Sequence, residues 1–580
     1  MKKVDKKRVL YAICFACIML IDWSRGSGKW HYWAALINLT GVIMTVIMMS
    51  HFSWKKQPVR KYALWGGIWL LGSLAGYFIW KQNPGAIFFY QYVTAAVAVG
   101  CLGIMALRIW LDRKKLAEAS IGHPILAGIW IVMSILMVCS RFGEIWQLYY
   151  LVTFGLFYLI PFTRQERRRL WDGLSDGCII GFFIIQIWAY GFRPYDVVRY
   201  SGAYANCNMN SLFYLITYVM ILYRLHSISW QQRSGEGTKG KALFLKRCFF
   251  VVLAAGLLDF IFFTMTRTAL LLAAAITVVY GVIEYFVLER LQVKRMLLAT
   301  VTLGVCTILI FPCVYLTIRY LPTILHHPVW WEGEYSEEKV HSFDPYNSDK
   351  YVSLEEVFEA ALGRLYTSKK ETVPPMETEP LAPIGNTEDS AIEEVKVSDD
   401  KVTIAEEAIA VSSALIENVD QLEFDDVTAP AVALMTKEEK QLLTGDAAQS
   451  SMRIRLEIYK RYLNHLNLTG HTLTEGYFPI TEDYHAWHAQ NVFIQILFYY
   501  GVPAGVCFIV LMAALGIGAV KRIWQKRDRE DILVLFAWLL FVGYGMLESV
   551  WYLGQCVLFL MYITPKILID ARRDDKQTKQ

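Results

Sequence analysis

Charge is scarce in this chain. Of its 580 residues only 19% are Asp, Glu, Lys or Arg, against 55% hydrophobic and 14% aromatic. One soluble core of that length cannot hide so much apolar surface, which excludes an ordinary water-soluble enzyme. The carboxylate–histidine spacing of a metalloprotease, as in HExxH, is also missing. The basic residues and apolar run of Met1 to Ile21 lack a small-x-small cleavage site, so they read as a retained first helix rather than a signal peptide. No internal repeat is visible. The eleven cysteines sit mainly in apolar blocks (Cys14, Cys17, Cys101, Cys139, Cys306) and read as small packing residues. The net charge of +5 averages basic loops with an acidic segment, and gives no footing to a nucleic-acid partner.

What is present is a succession of apolar blocks about 17–25 residues long, enough to cross roughly 30 Å of hydrocarbon at about 1.5 Å per residue. The candidate spans are 8–22, 30–50, 62–80, 86–110, 124–140, 145–162, 173–192, 207–224, 247–264, 268–288, 296–318, 491–519, 531–547 and 550–569. The expected fold is therefore all-α and polytopic, with about fourteen transmembrane helices. With the N-terminus in the cytoplasm, every second loop is basic: Lys55 to Lys61, Arg113 to Lys115, Arg164 to Arg169, Lys246 and Arg247, Arg290 to Arg295, Lys521 to Arg529, then Arg572 and Arg573. The opposite loops hold only scattered cations such as Lys81 and Arg141. The positive-inside rule supports this orientation along the whole chain.

That orientation puts one large loop outside the cytoplasm, between roughly Leu321 and Gln490. Residues 370–450 are rich in Glu, Asp, Pro, Ser and Thr, with few large aromatics, and read as an acidic, partly disordered insert. From Ser451 to Leu468 the pattern changes to helical apolar spacing with arginines between. The expected organisation is N-terminal helices over 1–192, a core with arginine motifs over 193–320, the acidic insert over 321–450, a catalytic loop segment over 451–490, and C-terminal helices with a cytoplasmic tail over 491–580.

Ionisable groups at a membrane face are costly and call for a reason. Four clusters stand out. Arg199 to Asn208 precedes a span; Gly202 permits a tight turn, Asn206 and Asn208 offer amides at a helix start, and Arg199 with nearby Arg193 has the fork to bind phosphate. The plainer reading is a helix cap with an interfacial arginine. Thr264 to Ala269 sets Arg267 in a short reversal on the face where orientation puts few cations, so it needs an anionic partner or snorkels at a turn. In Arg453 to Tyr459, Arg455 and Tyr459 fall one helical turn apart on one face, as they would in a helix lying on the membrane surface too. Tyr484 to Asn491 brings His485, His488 and Asn491 to the mouth of a span, where a histidine can take a hydroxyl proton near neutral pH.

The order of these features resembles the O-antigen ligase and polymerase superfamily. The shared elements are many spans, Arg-x-x-Gly-x-aromatic-x-Asn-x-Asn (Arg199 to Asn208), a Thr-Arg-Thr turn (Thr266 to Thr268), a large outer loop, His-x-x-Asn (His488 to Asn491) and Gly-Val-Pro-x-Gly (Gly501 to Gly505). The match covers about Arg193 to Leu515. It implies a multi-pass protein of a bacterial cytoplasmic membrane that transfers or polymerises a glycan from undecaprenyl diphosphate on the outer face. The resemblance further implies no metal and no nucleotide cofactor. Arg199, Arg267 and Arg455 would hold the diphosphate, with Arg267 and Arg455 acting in catalysis beside His488 as general base. Arg193, Arg199, Asn206, Asn208, His485 and Asn491 would bind substrate. Partners implied are the lipid-linked oligosaccharide, an acceptor glycan or lipid, membrane lipid and a chain-length regulator. Two departures stand: Cys207 where relatives often carry proline, and Gln490 where many carry histidine, which leaves His485 and His488 both open as the base. Two other classes compete. Asp259 and Glu284, in or near spans, suit a transporter or flippase; the acidic loop suits a non-catalytic scaffold.

Overall fold

The computed structural model describes residues 5–24, 32–51, 59–82, 89–118, 124–142, 145–192, 200, 202–204, 207–234, 241–288, 292–325, 451–480, 485–486, 488–547 and 560–577. All of them belong to one contact unit. Arg193, Arg199 and Asn206, and the acidic insert from residue 326 to 450, lie outside the described residues.

Backbone N–H and C=O groups cannot be left unpaired among apolar side chains, so long apolar runs close their hydrogen bonds internally as helices. Among the described residues eleven α-helices precede the insert: α1 (Lys6–Ser24), α2 (Tyr32–His51), α3 (Val59–Gln82), α4 (Phe89–Glu118), α5 (Pro124–Cys139), α6 (Ile145–Leu159), α7 (Arg164–Phe192), α8 (Cys207–Ser234), α9 (Lys241–Phe263), α10 (Arg267–Gly281) and α11 (Val293–Leu325). A π-helical turn, Val282–Leu288, prolongs α10. After the insert come α12 (Ser451–Asn464), a two-stranded ribbon, α13 (Val492–Tyr499), α14 (Val502–Gln525), α15 (Asp531–Gly545) and α16 (Pro565–Gln577). In the ribbon, β1 (Phe478–Pro479) pairs antiparallel with β2 (His485–Ala486).

Seven of the described helices are long and apolar enough to cross a membrane by length and composition, and four shorter ones are apolar. Their surfaces say how they are used. No residue of α3 is buried, and α11 exposes Leu297, Leu298, Val301, Ile308 and Leu309. Water disfavours such continuous apolar faces, whereas hydrocarbon covers them without cost. Helix α8 is the opposite case: it is buried almost throughout, and its tyrosines keep hydroxyl partners, Tyr214 on Gln186 at 2.8 Å and Tyr218 on Thr277 at 2.6 Å. Helices α1 and α7 approach closely through Gly173, Gly177 and Gly181, spaced every fourth residue. A Cβ at Gly177 would stand 2.4 Å from the Ala12 carbonyl oxygen.

The two ends of the bundle differ. At one end the first turns of α7, the last turns of α8 and the α14–α15 junction share an ionic network: Arg167 with Glu530 at 3.1 Å, Arg164 with Asp528 at 2.6 Å, Arg522 with Asp531 at 3.0 Å, and Arg529 with Asp172. Two basic runs assigned to one side by the orientation argument thus meet at one end. At the other end, the Tyr200 N–H donates to the Phe263 carbonyl at 2.8 Å, Arg141 to Thr469 at 2.9 Å and Val502 to Asn467 at 2.9 Å.

Three expected boundaries are corrected. The span expected over 491–519 is two helices: the chain reverses at Gly501, whose φ of 87° is left-handed, and Pro503 starts α14 in the first turn, where its missing N–H costs nothing. The span expected from 173 begins at Arg164, because the arginines before it find carboxylates and stay helical. The helix expected over 268–288 is α-helical only to Gly281.

Candidate functional site

The end of α15 organises the site. The last carbonyls of a helix have no partner within it, and here they are taken by side chains from distant stretches. The Leu547 carbonyl accepts from Arg455 Nη1 at 2.8 Å. The Met546 carbonyl accepts from the Tyr459 hydroxyl at 3.0 Å and from Asn491 Nδ2 at 3.0 Å. Arg455 and Tyr459, one turn apart on α12, therefore grip the same helix end, and the guanidinium complements the negative pole of the α15 dipole. Asn491 also caps α13, accepting the N–H groups of Phe493 and Ile494 at 3.0 and 3.1 Å. Both ends of that amide are used.

One turn back, Tyr544 is fully buried and joins this cluster to the other two. Its hydroxyl donates to the Asn208 carbonyl at 2.7 Å and lies 3.1 Å from Ser211 Oγ. Asn208 Oδ1 in turn accepts from Thr266 Oγ1 at 3.3 Å. Thr266 is the N-cap of α10, yet its side chain makes no cap bond and faces Asn208 instead. Among the described residues no N-cap side chain therefore occupies the first N–H groups of α10. Arg267, the first residue of α10, is exposed and has no ion-pair partner among the described residues. A cation at the positive pole of a helix is unfavourable, and an anion there would satisfy both the guanidinium and those N–H groups.

Backbone strain collects at this end. Met265 (φ 50°) and Gln490 (φ 47°) are left-handed without being glycine, and Gly202 (φ 58°) packs against Asn210. Such positions persist only where surrounding structure enforces them.

The two histidines are held differently. His485 lies on β2 with its ring stacked on Tyr477 at 4.9 Å, as a packing residue would be. His488 Nδ1 accepts the Gln490 N–H at 3.3 Å, so the neutral ring carries its proton on Nε2. To act as a base, this imidazole must exchange the long Gln490 contact for the incoming proton. Beside them, Glu475 ties the loop to the end of α5. The Thr472 N–H at 2.9 Å holds its carboxyl below the ordinary range, and Arg141 at 2.6 Å adds to the effect.

Of the residues expected from sequence, Asn208, Arg267, Arg455, Asn491, His488 and His485 fall at this end; Arg193, Arg199 and Asn206 lie outside the described residues. Sequence reasoning missed Tyr544, Thr266 as a bridge, and the Met546 and Leu547 carbonyls. A tyrosine within an apolar run carries no mark of such a role. Elsewhere, buried Glu284 is matched by His226 and by Arg233 at 2.7 Å, whereas Asp259 Oδ2 has no hydrogen-bond partner among the described residues. Cys14 and Cys17 stand three residues apart, but in mid-helix on α1, and no described group of three His, Cys, Asp or Glu is arranged to hold a metal. No protein-family model and no curated protein matches the sequence.

Proposed function

We propose that this chain is a multi-pass membrane glycosyltransferase of the O-antigen ligase or polymerase type, moving a glycan from a lipid diphosphate to an acceptor hydroxyl outside the cytoplasm. One observation carries the reading: stretches roughly 190–280 residues apart, Asn208 and Thr266–Arg267 on one side and Arg455, Tyr459 and Asn491 on the other, are joined through residues 544–547 at one bundle end. A structural role for each stretch alone does not require that they meet.

The reaction asks little of the protein. The acceptor oxygen attacks the anomeric carbon, the bond from that carbon to the diphosphate oxygen breaks, and its electron pair leaves with the lipid diphosphate. Arg267 with the N-terminus of α10 supplies positive charge for that leaving group. Arg455, held on the α15 end, is the second cation. His488 takes the hydroxyl proton once it releases the Gln490 N–H. Asn208, Asn491 and Tyr544 position the three segments.

The test is elongation or transfer from a lipid diphosphate oligosaccharide by purified protein in lipid nanodiscs. Arg267→Ala is expected to lower the rate by about 10²–10³ and His488→Ala by about 10²–10⁴. Wild-type rates in both variants overturn the assignment. Asp259, buried with an unpaired oxygen on α9, favours transport as the second reading; proteoliposome flux without glycan elongation would establish it.

A further inference from the structure

At the ionic end of the bundle, α1, α7 and α9 line an open groove of about 590 Å³. Part of its lining is charged, with Asp5, Arg8 and Asp176; the rest is apolar, with Ile13, Ile180 and Phe250 among it. Ile13 is 58% exposed and Ile180 46%, so the groove is uncovered by protein along its apolar length.

The charges around it do not cancel. Arg8 Nε donates to Asp176 at 2.6 Å, Arg169 to Asp5 at 2.6 Å, and Arg224 lies 3.2 Å from Asp172 and 3.7 Å from Asp176. Arg529 closes the set on Asp172. With neighbouring Glu530, shared by Arg529, Arg167 and Arg168, and Asp574 on Arg167, five carboxylates face six guanidiniums among the described residues, leaving one positive charge over. Arg8 spends Nε and Nη2 on Asp176, and its side chain remains 35% exposed, which leaves Nη1 for another acceptor. Arg224 sits over the Phe250 ring at 5.9 Å, so a second cation overhangs the apolar wall. Exposed Lys6 and Lys246 flank the opening on α1 and α9.

We infer that this groove binds an anionic glycerophospholipid of the surrounding bilayer, its phosphodiester on Arg8 and an acyl chain along Ile13, Ile180 and Phe250. An uncharged or zwitterionic headgroup leaves the surplus charge unmet, and a soluble anion leaves the apolar walls bare. Basic pockets between membrane helices take anionic headgroups for the same two reasons. The inference rests on the membrane reading above, not on the glycosyl-transfer chemistry. The bound lipid would brace α7, whose Asp172 pairs with Arg529 at the start of α15, the helix whose far end builds the candidate site.

Native mass spectrometry of the full chain, released from nanodiscs containing equal phosphatidylglycerol and phosphatidylcholine, tests this. The wild type is expected to retain phosphatidylglycerol at least about fivefold over phosphatidylcholine, and Arg8→Gln to bring that ratio down by about fivefold, the loss of one basic contact near a headgroup. Ile13→Trp fills the groove while sparing every ion pair, and is expected to remove retention even if Arg8→Gln folds poorly. Equal retention of both lipids, or an Ile13→Trp variant that retains phosphatidylglycerol, overturns the proposal. So does a preference lost in Lys6→Gln/Lys246→Gln while Arg8→Gln keeps it, because that pattern is diffuse surface attraction. Carbonate extraction of the cell membranes that yield the protein separates the failures: protein released to the soluble fraction sinks the membrane reading as well, whereas retained protein without lipid preference sinks only the groove.

Discussion

Tyr544 shows how one hydroxyl can decide whether separate segments form a site. Its O–H reaches the Asn208 carbonyl at 2.7 Å from a position with no solvent exposure, so water cannot replace the bond. Removing that hydroxyl breaks the link from α15 to α8 while the Asn208 carbonyl keeps the Ser211 hydroxyl, so the cost is that of one hydrogen bond, about 0.5–1.5 kcal/mol. Tyr544→Phe is therefore expected to lower thermal stability and transfer rate together. Ser211→Ala is expected to do less, because the Ser211 hydroxyl's bond to the Asn208 carbonyl at 2.8 Å lies within α8, and Tyr544 still links α15 to that carbonyl. Equal effects of the two substitutions in thermal unfolding and rate assays would deny Tyr544 its bridging role. His488 belongs to the same scale. The His-x-x-Asn spacing made His488 a candidate beside His485, but the Gln490 N–H on its Nδ1 was not readable, because that contact depends on a left-handed Gln490.

Among the elements, the loop after the insert holds the clearest gap between pattern and fold. Residues 492–519 are apolar nearly throughout, and a period-based reading merges them because nothing polar marks the break. The marks are a glycine and a proline. Gly501 takes φ 87° and lies against the chain at Leu468–Gly470; a Cβ there would stand 2.3 Å from the Leu468 carbonyl oxygen and 3.0 Å from the Gly470 N. Both obstacles are backbone, so neither can rotate aside. The sequence reading used Gly501 to Gly505 only as a motif, while its physical task is to let the His488 segment return to the bundle and α14 start afresh. Gly501→Ala is expected to cost about 1–3 kcal/mol from the left-handed backbone, with more from displaced backbone. Hydrogen exchange should then rise at residues 467–471 and 499–502 while α8 stays protected. Unchanged protection at those positions would mean that the turn tolerates a side chain. The helices themselves were far easier to read, since long apolar blocks have few alternatives to a helix.

At the scale of the whole molecule, sequence reasoning reached the class of fold through composition and charge alternation, both of which are local sums. It could not reach the meeting of Asn208, Thr266, Arg455 and Asn491, because contacts between stretches so far apart depend on packing that leaves no period in the chain. Sidedness lies between these cases. The basic runs at 164–169 and 521–529 share the ionic end, and the candidate site occupies the other, so the proposed chemistry requires the ends to face different compartments. In a cysteine-free background, single cysteines at Leu468, 73% exposed beside the site, and at Lys526, exposed at the ionic end, report this directly. With a membrane-impermeant maleimide on intact cells, Leu468→Cys is expected to be labelled and Lys526→Cys only after permeabilisation. The reverse pattern would put the arginines of the site on the side from which a lipid-linked glycan displayed outside is out of reach, and the glycosyl-transfer reading would fall whatever the arrangement of its residues.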